Sequence, residues 1–278
     1  MVAVVLAVAG ALAYGFSDFL GGVLSRRGSL WPTALTACAG GLIGTTALAL
    51  AIPGSPHGAD FAWAALAGVG NGAGTTFLYR GMAGGRMGVV APVSAVGAAA
   101  IPVLAGVVTG ERPGPVVWLG IAVAFPAIWL VAREHGADSG PEASSGAIDG
   151  VLAGVGFGVL FAALGQIPSS AGYWPLTLNQ AISVLAVVAA ASVLSTPVLP
   201  RRLADCGGLI SGLLATLAVW CFLLANERGL LTVSAVLVSL YPASTVLLAV
   251  ALLHERIHRP QAAGLLLCGV TVALVAVG

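Results

Sequence analysis

The sequence predicts an all-α integral membrane protein of ten transmembrane helices, arranged as two inverted five-helix repeats. Three observations carry that expectation: a composition too apolar for water, ten apolar segments of spanning length, and a stretch of the first half that recurs in the second.

Of 278 residues, 59% are hydrophobic and 8% charged, against roughly 45 to 50% and about 25% in soluble domains. The mean hydropathy of +1.04 describes nearly the whole chain, which points to a polytopic protein and not to a soluble domain with one anchor. The 39 glycines are about twice the usual ~7% share. They suit helices that must pack closely where no hydrophobic force drives them together. Cys38, Cys206, Cys221 and Cys268 stand singly in apolar segments, form no CxxC, and read as small hydrophobes.

The apolar segments run over 2–24, 31–52, 60–79, 88–108, 114–132, 148–167, 174–195, 206–226, 231–252 and 260–277. Each is near the ~20 residues that cross a ~30 Å hydrocarbon core. Polar punctuation separates them, from SRRGS and PGSPHGAD to NERG and HERIHRP. Each must be helical, because lipid offers no partner to an unpaired peptide group. The first segment lacks a basic flank and has a counterpart in mid-chain, so it reads as a span and not as a cleaved leader. The polar tract from Arg133 to Asp149 reads as a flexible linker. The expected organisation is a first repeat over 1–133, a linker over 134–147 and a second repeat over 148–278.

A shift of 144 residues lays Gly88–Gly120 on Thr232–Gly264. Glu111-Arg112 then falls on Glu255-Arg256, Gly120 on Gly264, and the small stripe Ala91, Ala95, Ala99 on Ala235, Ser239, Ala243. A spacing of four lines one helix face with small residues, as close helix crossings require. Five helices per half is an odd number, so the second copy enters from the opposite side of the bilayer. Pro92 and Pro102 in the fourth segment and Pro242 in the ninth are expected to interrupt their helices at corresponding places, the mark of a carrier built on inverted repeats.

These features, with LYRGMAGGRMGVVAPVSAV and GLLTVSAVLVSLYP, resemble the EamA-type branch of the drug/metabolite transporter superfamily over essentially the full length. The resemblance implies a secondary transporter of small metabolites, amino acids or drug-like compounds in the cell membrane. It implies a central cavity lined by the first, third and fourth helices of each half, and termini in the cytoplasm. The charges disagree on orientation. All eleven basic residues are Arg, and nine lie in loops after odd-numbered segments, with only Arg112 and Arg228 on the other side. The positive-inside rule therefore puts both termini outside.

Within GFSDFLGG, Asp18 lies seven residues before Ser25, or ~10 Å inside the boundary at ~1.5 Å per residue. A central Asp costs roughly 2.5 to 3.5 kcal/mol to insert, so its side chain is expected to face the bundle. Gly10, Tyr14, Ser17, Asp18, Gly21 and Ser25 form one polar or small stripe on an apolar helix. Its counterpart in the second half is about Val159, so the carboxylate exists in one half only. A purely architectural acid would be expected twice, as Glu111 and Glu255 are. Asp18 is therefore read as a site for a substrate cation or a proton; the alternative is an acid hydrogen-bonded to Ser17, a Tyr or a Trp that only orients its helix. Asn71, Thr75 and Tyr79 at i, i+4 and i+8, and Trp220 opposite Thr75 in the repeat, are read as lining the same hollow. Gln166, Asn179 and Gln180 are weaker candidates near helix ends.

HERIH, His254 to His258, matches the HExxH of zinc peptidases. Its repeat partner is GERPG, Pro260 follows at once, and it sits in a loop with no obvious third ligand. The sequence is accordingly read as no enzyme, with no metal or cofactor, and an intramembrane metalloprotease or a non-transporting scaffold or sensor stands as the alternative. Glu111 and Glu255, with Arg112 and Arg256, are read as fixing helix ends, by pairing or by accepting from backbone N–H groups. No phosphate-binding loop or basic nucleic-acid stripe appears, so gradients and not ATP would drive any transport. The expected partners are the bilayer and a small-molecule substrate, with the chain working as a monomer or homodimer.

Overall fold

A computed structural model describes residues 1–27, 30–83, 87–132, 141–253 and 257–278. Among them there is no strand. The helices are α1 (Val2–Arg27), α2 (Leu30–Ala51), α3 (Gly58–Ala83), α4 (Met87–Val108), α5 (Pro115–Ala132), α6 (Pro141–Leu164), α7 (Trp174–Val193), the single turn α8 (Leu203–Cys206), α9 (Gly208–Asn226), α10 (Leu231–Val238), α11 (Tyr241–Leu253) and α12 (Arg259–Val277). Seven segments, in α1, α2, α6, α7, α9, α10–α11 and α12, are long and apolar enough to cross a membrane. Val93–Val108 and Pro115–Val131 are shorter apolar helices. The remaining helix, α3, has 26 residues but is diluted by glycines, Asn71, Thr75 and Thr76.

Two expectations are corrected. The tract read as a linker is helical from Pro141 onward: proline suits a first helical turn, where its missing N–H would be unpaired anyway, and Asp149 is anchored by Arg80 of α3. Pro92 and Pro102 do not interrupt α4, which runs through both. A proline costs a helix one hydrogen bond and bends it, but packing along its length can hold the path. The chain does break before Pro242, where Ser239 and Leu240 separate α10 from α11.

The largest helix interfaces join one half to the other: α3 and α4 pack on α6, α1 and α2 on α9, α3 on α7, and α5 on α12. The pair α5 and α12 fixes the symmetry. Gly120 abuts Leu274 and Val275, Gly264 abuts Leu130 and Val131, and Gly278 abuts Val116 and Val117. Residue numbers therefore run in opposite senses along the two helices. At an offset of 144 the contact of Gly120 with Val275 becomes that of Gly264 with Val131, so exchanging the halves maps the interface onto itself. Two equivalent helices that are antiparallel are related by a two-fold axis perpendicular to them, the geometry of an inverted repeat.

Glycine makes these approaches possible. On α6, Gly150, Gly154 and Gly158 meet Val93, Gly97 and Ile101 of α4, while Gly156 meets Gly70 and Gly74 of α3. A Cβ on Gly156 would lie 2.5 Å from the Gly74 nitrogen, and one on Gly154 3.0 Å from the Gly97 Cα. Serine hydroxyls clasp α1 to α9: Ser17 donates to the Ser211 carbonyl at 2.9 Å, and Ser211 to the Ser17 carbonyl at 2.8 Å.

Glu111, just past α4, accepts from the backbone N–H groups of Leu231 and Thr232, the latter at 2.9 Å. It thus caps α10 of the opposite half, satisfying amides that a helix start leaves orphaned. Arg112 donates to the Val107 and Glu111 carbonyls at the end of α4. These are the helix-end roles expected of the pair; Glu255 and Arg256 lie outside the described residues. Among those described, α4 packs on α10 at this end and makes no comparable contact with α11 at the other.

Gly154→Leu and Gly156→Leu are expected to destabilise by at least the ~1–3 kcal/mol of an overpacked core, read as a lower melting temperature in detergent, whereas Gly269→Leu, where a Cβ meets nothing within 4 Å, leaves it unchanged. Glu111→Ala is expected to cost ~0.5–2 kcal/mol as a lost cap, and Glu111→Gln less; melting curves of the two variants check the order.

Candidate functional site

A cavity of about 180 Å³ lies where the two halves face each other. Its wall takes Tyr14, Ser17 and Asp18 from α1, Asn71 and Thr75 from α3, Asn179 and Gln180 from α7, and Ser211 from α9. Ala98 of α4, Phe157 and Phe161 of α6 and Tyr241 of α11 add apolar surface. The predicted residues Tyr14, Ser17, Asp18, Asn71 and Thr75 therefore do come together. The side chain of Tyr79 lies outside the described residues.

Trp220 is not on the wall. Its indole N–H donates to the Tyr173 hydroxyl at 2.7 Å. The residue 144 positions after Thr75 is Val219, and Val219 does line the cavity. One residue along a helix turns the side chain by ~100°, which is why Trp220 points elsewhere. The resemblance also left out α2 and α7. Ala34, Ala37 and Cys38 of α2 are on the wall, small residues that give no polar signal in a sequence. Asn179 and Gln180 lie near the start of α7 in sequence, but Gln180 reaches Gly41 of α2 and Asn179 packs on Gly68 of α3, both well inside those helices.

The electrostatics of the wall are one-sided. Asp18 is exposed to the hollow, and among the described residues nothing donates a hydrogen bond to its carboxylate. Ser17, an anticipated partner, is committed to Ser211 at 2.9 and 3.0 Å. Among the described residues no Arg or His is on the wall, and the other ionisable groups there are Tyr14, Tyr241 and Cys38. Asn71 donates to the Gln180 side-chain oxygen at 3.0 Å, tying α3 to α7.

Aromatic rings close the floor. Phe161 meets Phe222 of α9 edge-on at 5.1 Å and Tyr14 at 6.0 Å, joining α6 to two helices on the other side of the hollow. Beyond that floor lie the Trp220–Tyr173 bond, the capped start of α10 and a loop contact in which the Ser55 N–H donates to Ser170. There Gly54 abuts Gly172, whose φ of +67° favours glycine. The wall residues of α1, α2, α3 and α9 come mostly from the later halves of α1 and α3 and the earlier halves of α2 and α9, toward the face where α1 gives way to α2. That face carries most of the arginines. At it, Arg80 pairs with Asp149, its Nε 2.9 Å from the carboxylate, and lies 4.7 Å from the centre of the Phe77 ring.

His258 of the HERIH run caps α12: its backbone N–H donates to Gln261 at 3.2 Å, and its side chain accepts from the same turn. His254 and Glu255 lie outside the described residues.

No curated protein sequence matches the chain. A crystal structure of a protein 17% identical in sequence superimposes with a TM-score of 0.77, over 99% of this chain and 96% of that one; it shows a shared fold. The family model described as the EamA-like transporter family matches twice, over residues 1–133 and 144–277. Those two matches coincide with the two halves that α5 and α12 relate, and the chain belongs to the EamA-like transporter family, as a multi-pass membrane protein.

Proposed function

We propose that this protein is a ten-span secondary carrier of the cell membrane that moves a small molecule by alternating exposure of the cavity, with Asp18 taking a substrate cation or a proton in the cycle. The observation that carries the reading is a carboxylate, without a hydrogen-bond donor among the described residues, on the wall of a hollow shared by both halves. An intramembrane acid in that setting is costly, and it persists where it does something.

The span count rests on packing. Seven segments meet the length and hydropathy of a span; α3 lies between α6 and α7, α4 against α6, and α5 against α12. Helices that share their length with spanning neighbours lie at membrane depth with them. The two-state behaviour rests on an asymmetry that the repeat itself does not contain. The halves are related by a two-fold axis, yet among the described residues α4 packs on the α10 end of the ninth segment and makes no comparable contact with α11. Exchanging the roles of the halves would close the open end and open the closed one, which is alternating access about a central site. On the positive-inside rule the open, arginine-rich face is cytoplasmic.

Around Asp18, the neighbouring elements present Tyr14, Tyr241 and Cys38 as titratable groups, while Asp205 of α8 is engaged with the backbone N–H groups of Arg201 and Arg202. Transport that depends on pH through the carboxylate range therefore has one evident acid. In proteoliposomes with an imposed proton gradient, Asp18→Asn is expected to lose at least tenfold in flux and to lose the pH dependence of what remains, with an unchanged melting temperature. Flux and pH profile equal to wild type would remove Asp18 from the mechanism.

A further inference from the structure

We infer that the cavity takes a small organic monocation carrying N–H donors, an amine, and rejects carboxylates, zwitterionic amino acids included. The inference rests on the carrier reading and narrows its substrate class.

The charge balance is the first ground. Among the described residues Asp18 has no donor, and no basic side chain stands on the wall. The Arg80 guanidinium of α3 is held against Asp149 and the Phe77 ring. A ligand carboxylate would enter a site that holds one acid and, among the described residues, offers no positive charge. Burying it unpaired beside Asp18 is disfavoured by both desolvation and repulsion.

The second ground is independent. Asn179 is buried, 3% exposed, and its side-chain oxygen has no hydrogen-bond partner. Buried acceptors are satisfied in the great majority of cases, and an orphan on a cavity wall asks for a donor. Two neighbouring acceptors are already engaged: the Gln180 oxygen is taken by Asn71, and Ser17 and Ser211 bond each other. The acceptors left without a donor among the described residues thus include a carboxylate and an amide carbonyl, beside the Thr75, Tyr14 and Tyr241 hydroxyls, which can turn to accept as well as donate. An alkylammonium, with three N–H donors and a positive charge, matches them.

The third ground is size and surface. The rings of Tyr14, Phe157, Phe161 and Tyr241 border the hollow, and aromatic faces attract a desolvated cation. A volume of about 180 Å³ falls below the ~300–1,000 Å³ of drug-sized sites, so the amine is small.

The test uses the full-length protein in nanodiscs and four probes of one shape: phenethylamine, phenylalanine, phenylacetate and 2-phenylethanol, titrated by calorimetry. Phenethylamine is expected to bind at least tenfold tighter than each of the others and to lose at least tenfold in Asp18→Asn. Asn179→Ala, which removes an oxygen with no partner to lose, is expected to weaken the amine several-fold without lowering the melting temperature. Equal or tighter binding of phenylalanine or phenylacetate, absence of amine binding, or full amine affinity in both variants overturns the inference. Flux separates the two readings: proteoliposomes that move a zwitterion or neutral solute and no amine refute the substrate class and leave a carrier, whereas amine binding without flux of any probe refutes the carrier and leaves the site.

Discussion

The structure depends on backbones that touch. In lipid, helix association gains nothing from the hydrophobic effect, so contact must come from close van der Waals packing and a few interhelical hydrogen bonds. Here the closest packing runs between the halves and not within them. Gly156 on Gly70 and Gly74, Gly154 on Gly97, and Gly212 on Ala37 and Gly41 put one half's peptide planes against the other's. Glycine on both sides of such crossings leaves no room for a methyl group and removes the alternative of loose association. The hollow follows from this. Halves locked along α3–α6 and α1–α9 enclose space where larger residues and a broken helix keep the remaining segments apart.

The polar contacts then decide which end of that space is shut. Glu111 reaches across the halves to cap α10, and the floor rings and the Trp220–Tyr173 bond seal the same end. Toward the other face the wall is small and polar, with Ala34, Ala37, Cys38, Asn71 and Asp18. A repeat that is symmetric in its helices is thus asymmetric in its closure, and an inverted pair with one closed end is the starting point of a carrier cycle.

Much of the architecture was legible in the sequence because membrane helices leave few options: most of the apolar segments match helices within a few residues, apart from the early start of α6 and the break in the ninth, and the 144-residue offset relates the two ends of the α5–α12 interface. Asp18 stood out because a charge is conspicuous in an apolar run. What was not legible depends on rotation and depth. Trp220 was chosen over Val219 by one residue, which is a little over a quarter turn at ~100° per residue. Asn179 and Gln180 were discounted for lying near a helix start, although crossing helices bring them level with mid-span glycines. The prolines misled because sequence shows the lost hydrogen bond of Pro92, Pro102 and Pro242 equally, while only packing decides which helix breaks. The polar tract before Asp149 carried no sign that α6 begins at Pro141, since the pairing that anchors it, Arg80 with Asp149, is 69 residues apart in the chain.

The account stands on two copies of a five-helix unit facing opposite ways across the bilayer, which is measured most directly by topology. Gly114 and its repeat equivalent His258 follow the two Glu-Arg pairs; a Cβ at Gly114 meets nothing, and His258 is exposed. With the four native cysteines replaced by alanine, Gly114→Cys and His258→Cys are labelled in sealed, oriented vesicles with a membrane-impermeant maleimide. The account predicts that one of them reacts in intact vesicles and the other only after permeabilisation; reaction of both from the same side would contradict it.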